Sequence, residues 1–162
     1  MNGPDAGSAI KIRPLAEAVE WRRGRPGPVV FTNGVFDLLH PGHVELLEAA
    51  RREGDSLVVG LNTDASVRRL GKGAARPVAG EQARARVLAG LAAVDCVVLF
   101  DEDTPLVLMQ ALAPDVLVKG ADWAPDAIVG REVVEQGGGR VVRVPLLPGQ
   151  STSLLLERIK SE

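Results

Sequence analysis

The sequence predicts an α/β fold, a doubly wound (Rossmann-like) sheet of about five parallel strands with helices on both faces. Apolar runs of strand length recur at Val29–Phe31, Leu57–Leu61, Val97–Phe100, Val116–Val118 and Val141–Val144. They are continuous rather than alternating, which suits strands covered on both faces. Helical patterns lie between them, so the strands are expected to run parallel and to be joined by right-handed crossovers.

The elements follow in order. Met1 to Ser8 are rich in Gly, Pro and polar residues and are expected to be disordered. Leu15 to Arg23 reads as a helix, with Pro14 suited to its first turn. Gly24-Arg25-Pro26-Gly27-Pro28 breaks the chain before the first strand. His43 to Arg52 reads as a helix ending at Gly54, a C-cap glycine. Gln82 to Ala93 carries Val87, Leu88 and Leu91 on one side. Thr104 reads as an N-cap and Pro105 as the first helical residue, leading Leu106 to Leu112. Pro125 to Glu135 reads as one helix stopped by Gly137-Gly138-Gly139. Ser151 to Lys160 closes the chain. Residues 1–27 are assigned to an N-terminal tail and helix packed on the sheet edge, and residues 28–162 to a single domain.

Composition narrows the function classes. At 162 residues the chain suits one domain with its own core. A net charge of -2 gives no basic field for nucleic acid or a membrane surface. Tyr is absent, and the aromatics are Trp21, Trp123, Phe31, Phe36 and Phe100. These are few platforms for stacking bases of a single strand. Cys96 stands alone in an apolar run and reads as a small buried hydrophobe. No stretch is long and apolar enough to span a bilayer and no signal peptide is visible, so a cytoplasmic location is expected. There is no G-x-x-x-x-G-K-[ST] and no G-x-G-x-x-G after the first strand, which argues against a P-loop kinase and a dinucleotide oxidoreductase. One cysteine and two histidines cannot close a zinc site without carboxylates.

Chemistry concentrates in Phe31-Thr32-Asn33-Gly34-Val35-Phe36-Asp37-Leu38-Leu39-His40-Pro41-Gly42-His43. The only two histidines of the chain lie here, at a strand-to-helix junction. The first backbone N–H groups of a helix lack internal partners and carry partial positive charge, so a phosphate chain fits there. Gly42 leaves the first turn bare, and Pro41 removes an N–H that would be orphaned anyway. The dipole favours neutral imidazole and a bound triphosphate favours imidazolium. The plain alternative is a pair of structural capping histidines. A second candidate is Pro148-Gly149-Gln150-Ser151-Thr152-Ser153, hydroxyl residues that cap a helix and can equally bind phosphate. A third is Val118-Lys119-Gly120-Ala121-Asp122-Trp123, at a strand end where substrates bind. A fourth is the Gly-rich loop from Arg68 to Pro77, whose Lys72 can close over phosphates. Arg84, after that loop, offers a bidentate phosphate contact or a surface ion pair.

The His40–His43 segment resembles the H-x-G-H signature of the nucleotidyltransferase superfamily, which includes cytidylyltransferases and pantetheine-phosphate adenylyltransferase. Lys119–Trp123 resembles the K-G-G-D-Y of heptose-1-phosphate adenylyltransferases, with Ala121 and Trp123 as departures. Leu61 to Leu70, Val94-Asp95 and the Thr32-Asn33-Gly34 lead-in fit the same group. The resemblance covers most of Val29 to Ile159, so residues 28–162 would be the nucleotidyltransferase domain. It matches the stand-alone enzyme or the C-terminal half of the bifunctional heptose kinase/adenylyltransferase, and any kinase step is expected on another chain. Cytidylyltransferases for glycerol phosphate carry an arginine shortly before the Ser/Thr cluster, and Leu146 to Gly149 contain none.

The resemblance implies transfer of AMP from ATP to D-glycero-β-D-manno-heptose 1-phosphate, giving ADP-heptose and pyrophosphate. It implies that His40 and His43 bind the triphosphate and stabilise the transition state, with Lys119 meeting the sugar phosphate or α-phosphate. Thr32, Asn33, Gly34, Val35, Phe36, Gly42, Gly120 and Asp122 would line the nucleotide. Ser151, Thr152 and Ser153 would hold the distal phosphates, assisted by Lys72 and Arg84. Mg²⁺ is expected to be carried mainly by phosphates, with no dedicated protein ligands. The expected partners are ATP and a sugar 1-phosphate, with a homodimer by analogy. Two alternatives stay open: a cytidylyltransferase for a polyol or amino-alcohol phosphate, and a non-catalytic nucleotide-binding regulatory module.

Overall fold

A computed structural model describes residues 7–162. Its strands are β1 (Val29–Gly34), β2 (Ser56–Asn62), β3 (Cys96–Phe100), β4 (Val116–Gly120) and β5 (Arg140–Val144). They form one sheet in the order β3-β2-β1-β4-β5, with every pairing parallel. The helices are α1 (Leu15–Arg23), α2 (Pro41–Arg51), α3 (Asp64–Arg69), α4 (Glu81–Gly90), α5 (Leu106–Leu112), α6 (Arg131–Gln136) and α7 (Thr152–Lys160).

Successive strand side chains point to opposite faces, so each apolar strand feeds two cores. On one face Val30, Leu57, Val59, Leu61, Val97 and Val118 meet Leu47 and Ala50 of α2 and Leu88 of α4. On the other, Val29, Phe31, Val58, Val98 and Leu117 meet Ala18 of α1, Leu108 and Met109 of α5 and Val134 of α6. This is the doubly wound architecture expected from the continuous apolar runs. None of the helices among the described residues is long and apolar enough to cross a membrane.

Several local expectations fail, each for a physical reason. Gly7 and Ser8 are ordered in a 3-10 turn, Gly7–Lys11, while the rest of the expected disordered segment, Met1 to Ala6, lies outside the described residues. Ile12 then bridges Val97 on the free edge of β3, and Ala18 is fully buried. The segment from Ile12 to Trp21 thus packs on the sheet edge as expected, and adds Ala18 to the core. β5 is only half-buried because it forms the other edge. The helix expected from Pro125 to Glu135 is split into a short 3-10 turn, Pro125–Ala127, and α6. Gly130, at φ 91 between them, takes a left-handed conformation that ends one segment and turns into the next.

Thr104 does not cap α5; Pro105 is the cap residue and no side chain closes that end. Gly54 is not the cap of α2; that place is taken by Arg52. Its bareness instead lets it pass the Pro28 carbonyl, which an added Cβ would meet at 2.6 Å. Val87 faces solvent, and α4 buries Arg84, Ala85, Leu88 and Ala89. The short α3 has no sequence periodicity to reveal it; Thr63 caps it by accepting from Ser66 N at 3.2 Å.

Candidate active site

The strand order reverses between β1 and β4, and ligands of open parallel sheets bind beyond the C-terminal strand ends at such a point. Two adjoining cavities open there, of about 520 and 550 Å³. They share Asn33, Gly34, Val35, Leu46, Lys72, Asp122 and Leu146 as common walls.

The first cavity collects Phe36, His40, Gly42 and His43 from the β1–α2 loop and Ser151, Thr152 and Ser153 from the start of α7. The loop is held in an unusual shape. Phe36 and Leu38 have φ of 48 and 50, left-handed values that cost non-glycine residues on the order of 1 kcal/mol each. That turn sets the Phe36 ring 5.4 Å from the ring of His43, which stacks on His40 at 3.8 Å.

The two imidazoles cap their own helix. Nδ1 of His40 accepts from Gly42 N at 3.1 Å, and Nδ1 of His43 accepts from His40 N at 3.3 Å. An imidazole nitrogen that accepts cannot carry the proton, so both rings hold it on Nε2. Burial pushes both histidines below their ordinary value, and His43, further lowered by its neighbour His40, reaches about 4. At neutral pH each ring is an uncharged Nε2–H donor, oriented by its own cap. Gly42 is required here because an added Cβ would stand 2.9 Å from the His40 ring.

At α7 the hydroxyls divide their work. Ser151 accepts from Leu154 N at 3.1 Å and keeps its own proton free to donate. Thr152 donates to the carbonyl oxygen of Asp37 at 2.6 Å, so its proton serves as a tether. Ser153 is exposed at the cavity.

The second cavity holds Thr32, Lys119 and Gly120, with Trp123, Asn62, Asp103 and Thr104. Lys119 is buried, donates to Asn33 Oδ1 and lies 5.5 Å from the Trp123 ring centroid. Burial lowers its amine to about 8, against the opposing pull of Asp122. At Gly120 an added Cβ would meet Asp122 Oδ1 at 2.6 Å, so the bare strand end admits that carboxylate.

Arg84 is the correction among the named residues. It lines neither cavity. Its guanidinium is buried and donates to Val35 O at 2.7 Å, Asn62 O at 2.9 Å, Ala79 O at 2.9 Å and Asp64 Oδ1 at 2.7 Å. It braces the loop that shapes the site and has little donor capacity left for phosphate.

Asp37 is the functional residue the sequence reading missed. Its buried carboxylate accepts from Arg76 Nε at 2.7 Å, Val78 N at 2.8 Å and Ala79 N at 3.0 Å. Burial alone raises its pKa, but the backbone donors and Arg76 outweigh that and hold it below the usual value. A lone carboxylate between Phe36 and Leu38-Leu39, in an otherwise apolar stretch, was the signal available. Among the described residues no group of three or more His, Cys, Asp or Glu side chains is placed to hold a metal.

With this geometry in place, relatives can be compared. The Cytidylyltransferase-like family model matches residues 31–145. The chain is 57% identical over 159 residues to the bifunctional protein HldE of Gluconobacter oxydans, covering 98% of this chain and 33% of that one. It is 58% identical over 161 residues to the bifunctional protein HldE of Acidiphilium cryptum, again covering 98% and 33%. The chain thus spans 33% of the length of these curated relatives. Among solved structures, a lipopolysaccharide core biosynthesis protein from Thermoplasma volcanium GSS1 superimposes with a TM-score of 0.62 at 29% identity, covering 75% of this chain and 97% of that one. A pantoate-beta-alanine ligase from Francisella tularensis, at 14% identity and a TM-score of 0.55 over 88% of this chain and 68% of that one, shares the fold alone.

Proposed function

The chain belongs to the cytidylyltransferase-like family, and from that premise we propose that it is an adenylyltransferase that moves AMP from ATP to D-glycero-β-D-manno-heptose 1-phosphate. The products are ADP-heptose and pyrophosphate. The observation that carries the reading is the meeting of two helix starts, α2 with two neutral Nε2–H donors and α7 with open hydroxyls, around one cavity. Such a place suits a polyphosphate, because the side-chain donors and the helix dipoles act together.

In the reaction an oxygen of the sugar phosphate attacks the α-phosphorus, and the bond to the bridging oxygen breaks. The electron pair leaves on pyrophosphate. The nucleophile is already anionic, so the protein's task is alignment and charge neutralisation. His40 and His43 would donate from Nε2 to the departing phosphates, and these bonds strengthen as charge develops there. Ser151 and Ser153 would hold the distal oxygens, Lys72 would approach from its loop, and Thr152 would fix α7 through Asp37. Asn33, Gly34, Val35, Phe36, Gly42, Gly120 and Asp122 would shape the nucleotide's path. Lys119 would meet the acceptor phosphate or the α-phosphate.

Mg²⁺ bound with ATP would neutralise phosphate charge. The cavity suits that arrangement, since of its two lining carboxylates Asp37 is engaged by Arg76, Val78 and Ala79, and Asp122 is the other. ATP as substrate implies a cytoplasmic reaction. The family resemblance suggests a homodimer, which sedimentation checks.

The choice of ATP and a heptose rests on the Lys119–Trp123 and Leu61–Leu70 likenesses and on the absence of arginine from Leu146 to Gly149. The test is pyrophosphate release from ATP or CTP with a panel of sugar and polyol phosphates. ATP with heptose 1-phosphate should give the highest kcat/KM. Preference for CTP with a polyol phosphate would overturn the substrate assignment. Nucleotide binding without turnover on any acceptor would favour a regulatory module.

A further inference from the structure

The cleft has two parts, and its second cavity has a different character. Apolar walls from Leu70, Val129 and Trp123 alternate there with Asp103 and Lys119. Trp123 is 49% exposed and takes no part in either core cluster. The Lys119 ammonium lies against its ring, 5.5 Å from the centroid. Asp103 accepts from Arg69 Nε at 3.0 Å, which steadies its carboxylate and leaves further lone pairs to accept with. The Thr32 hydroxyl is buried in the same wall and has no hydrogen-bond partner, an arrangement that costs free energy unless a ligand or water completes it.

An in-line transfer places the attacking oxygen opposite the leaving group. With pyrophosphate at the His40/His43 end, the acceptor must come from the other side, through the walls the two cavities share. We propose that the second cavity is the acceptor chamber, in which the Trp123 indole stacks on a polyhydroxylated ring and Asp103 reads its hydroxyls. This rests on the adenylyl-transfer reading above and adds to it the residues that select the acceptor. Sugars present C–H faces that pack on aromatic rings and hydroxyls that donate to carboxylates, and the chamber offers both. The Lys119 ammonium at its floor pairs with the acceptor phosphate where the chambers join.

The experiment is steady-state pyrophosphate release by Trp123→Ala, Trp123→Phe and Asp103→Asn at varied ATP and heptose 1-phosphate. Trp123→Ala should raise the KM for the sugar phosphate about tenfold, close to the loss of one aromatic contact. Trp123→Phe should recover most of that, Asp103→Asn should raise it severalfold, and the KM for ATP should stay within about twofold throughout. A rise confined to the ATP KM would mean that Trp123 faces the base, and no change in either KM would mean it faces neither; both results overturn the proposal. Tryptophan fluorescence separates this from the functional reading. With α,β-methylene ATP present, heptose 1-phosphate should change the emission of the wild type saturably, and Trp123→Phe should lose that change. A wild type that shows the fluorescence change but releases no pyrophosphate overturns the adenylyl-transfer reading and supports the chamber. A silent fluorescence titration beside normal turnover overturns the chamber.

Discussion

The two helix starts that meet in the first cavity are built in opposite ways. The start of α2 is closed by its own side chains: His40 and His43 accept from backbone N–H groups two and three residues away and stack on each other. The helix then buries Leu47 and Ala50 in the core. The start of α7 is capped locally by Ser151, but Thr152 is its one buried residue, and Leu154 and Ile159 face solvent. Its long-range hydrogen bond among the described residues runs from Thr152 to the carbonyl oxygen of Asp37. One wall of the proposed phosphate site is therefore pre-organised by its own side chains, and the other is tied to it through Thr152. Asp37 serves both walls, because its carboxylate fixes the Arg76–Ala79 loop while its carbonyl receives α7.

The largest expected effect is at the pre-organised wall. His43→Ala should lower pyrophosphate release about a hundred- to a thousand-fold, the usual loss for a donor aimed at developing charge. A variant with near wild-type turnover would break the distinction between the walls. Next is the residue that joins them. Asp37→Ala should cost about 3 kcal/mol in denaturant unfolding, since it leaves Arg76 and two backbone N–H groups without their buried partner. It should also raise the KM for ATP.

The role proposed for Lys119 is tested by pH. Lys119 carries its proton below about 8, because burial has lowered it from its ordinary value of 10.5. The ammonium is the useful form, so kcat/KM should fall as pH rises through about 8, tending to tenfold per unit above it. On the acid side His43, near 4, adds no limb between pH 5 and 7. A flat profile up to pH 10 would remove Lys119 from the reaction. The smallest effect belongs to the tied wall. Thr152→Val should cost about 1 kcal/mol of stability and weaken pyrophosphate binding several-fold in calorimetry. Unchanged binding would show that α7 holds its place without that bond.

The sequence made the pre-organised wall legible and the tied one only partly so. Continuous apolar strands and the histidine pair at a strand end are local signals, and local signals survive in a linear reading. The sheet and most of its helices were readable in this way, and the structure brings His40, His43 and the Ser151–Ser153 cluster to one cavity, with Lys119 in the adjoining one. What failed depends on contacts between distant segments. Arg84 looks like a phosphate ligand until Val35, Asn62 and Ala79 fold around it. Thr152 looks equivalent to Ser151 and Ser153 until Asp37 takes its proton. Asp37 itself becomes visible only when the 76–79 loop returns to meet it. Gly130 split a helix because the left-handed turn it makes is a property of backbone shape, which apolar spacing does not record.

The claim beneath all of this is that a polyphosphate binds against the two Nε2–H groups. The chain has two histidines, so a ¹⁵N-labelled sample gives an imidazole spectrum with two rings to assign. Titration with pyrophosphate and Mg²⁺ should shift both Nε2 signals saturably, by hydrogen bonding to the anion. Saturable pyrophosphate binding that leaves both imidazole spectra unmoved would contradict the account.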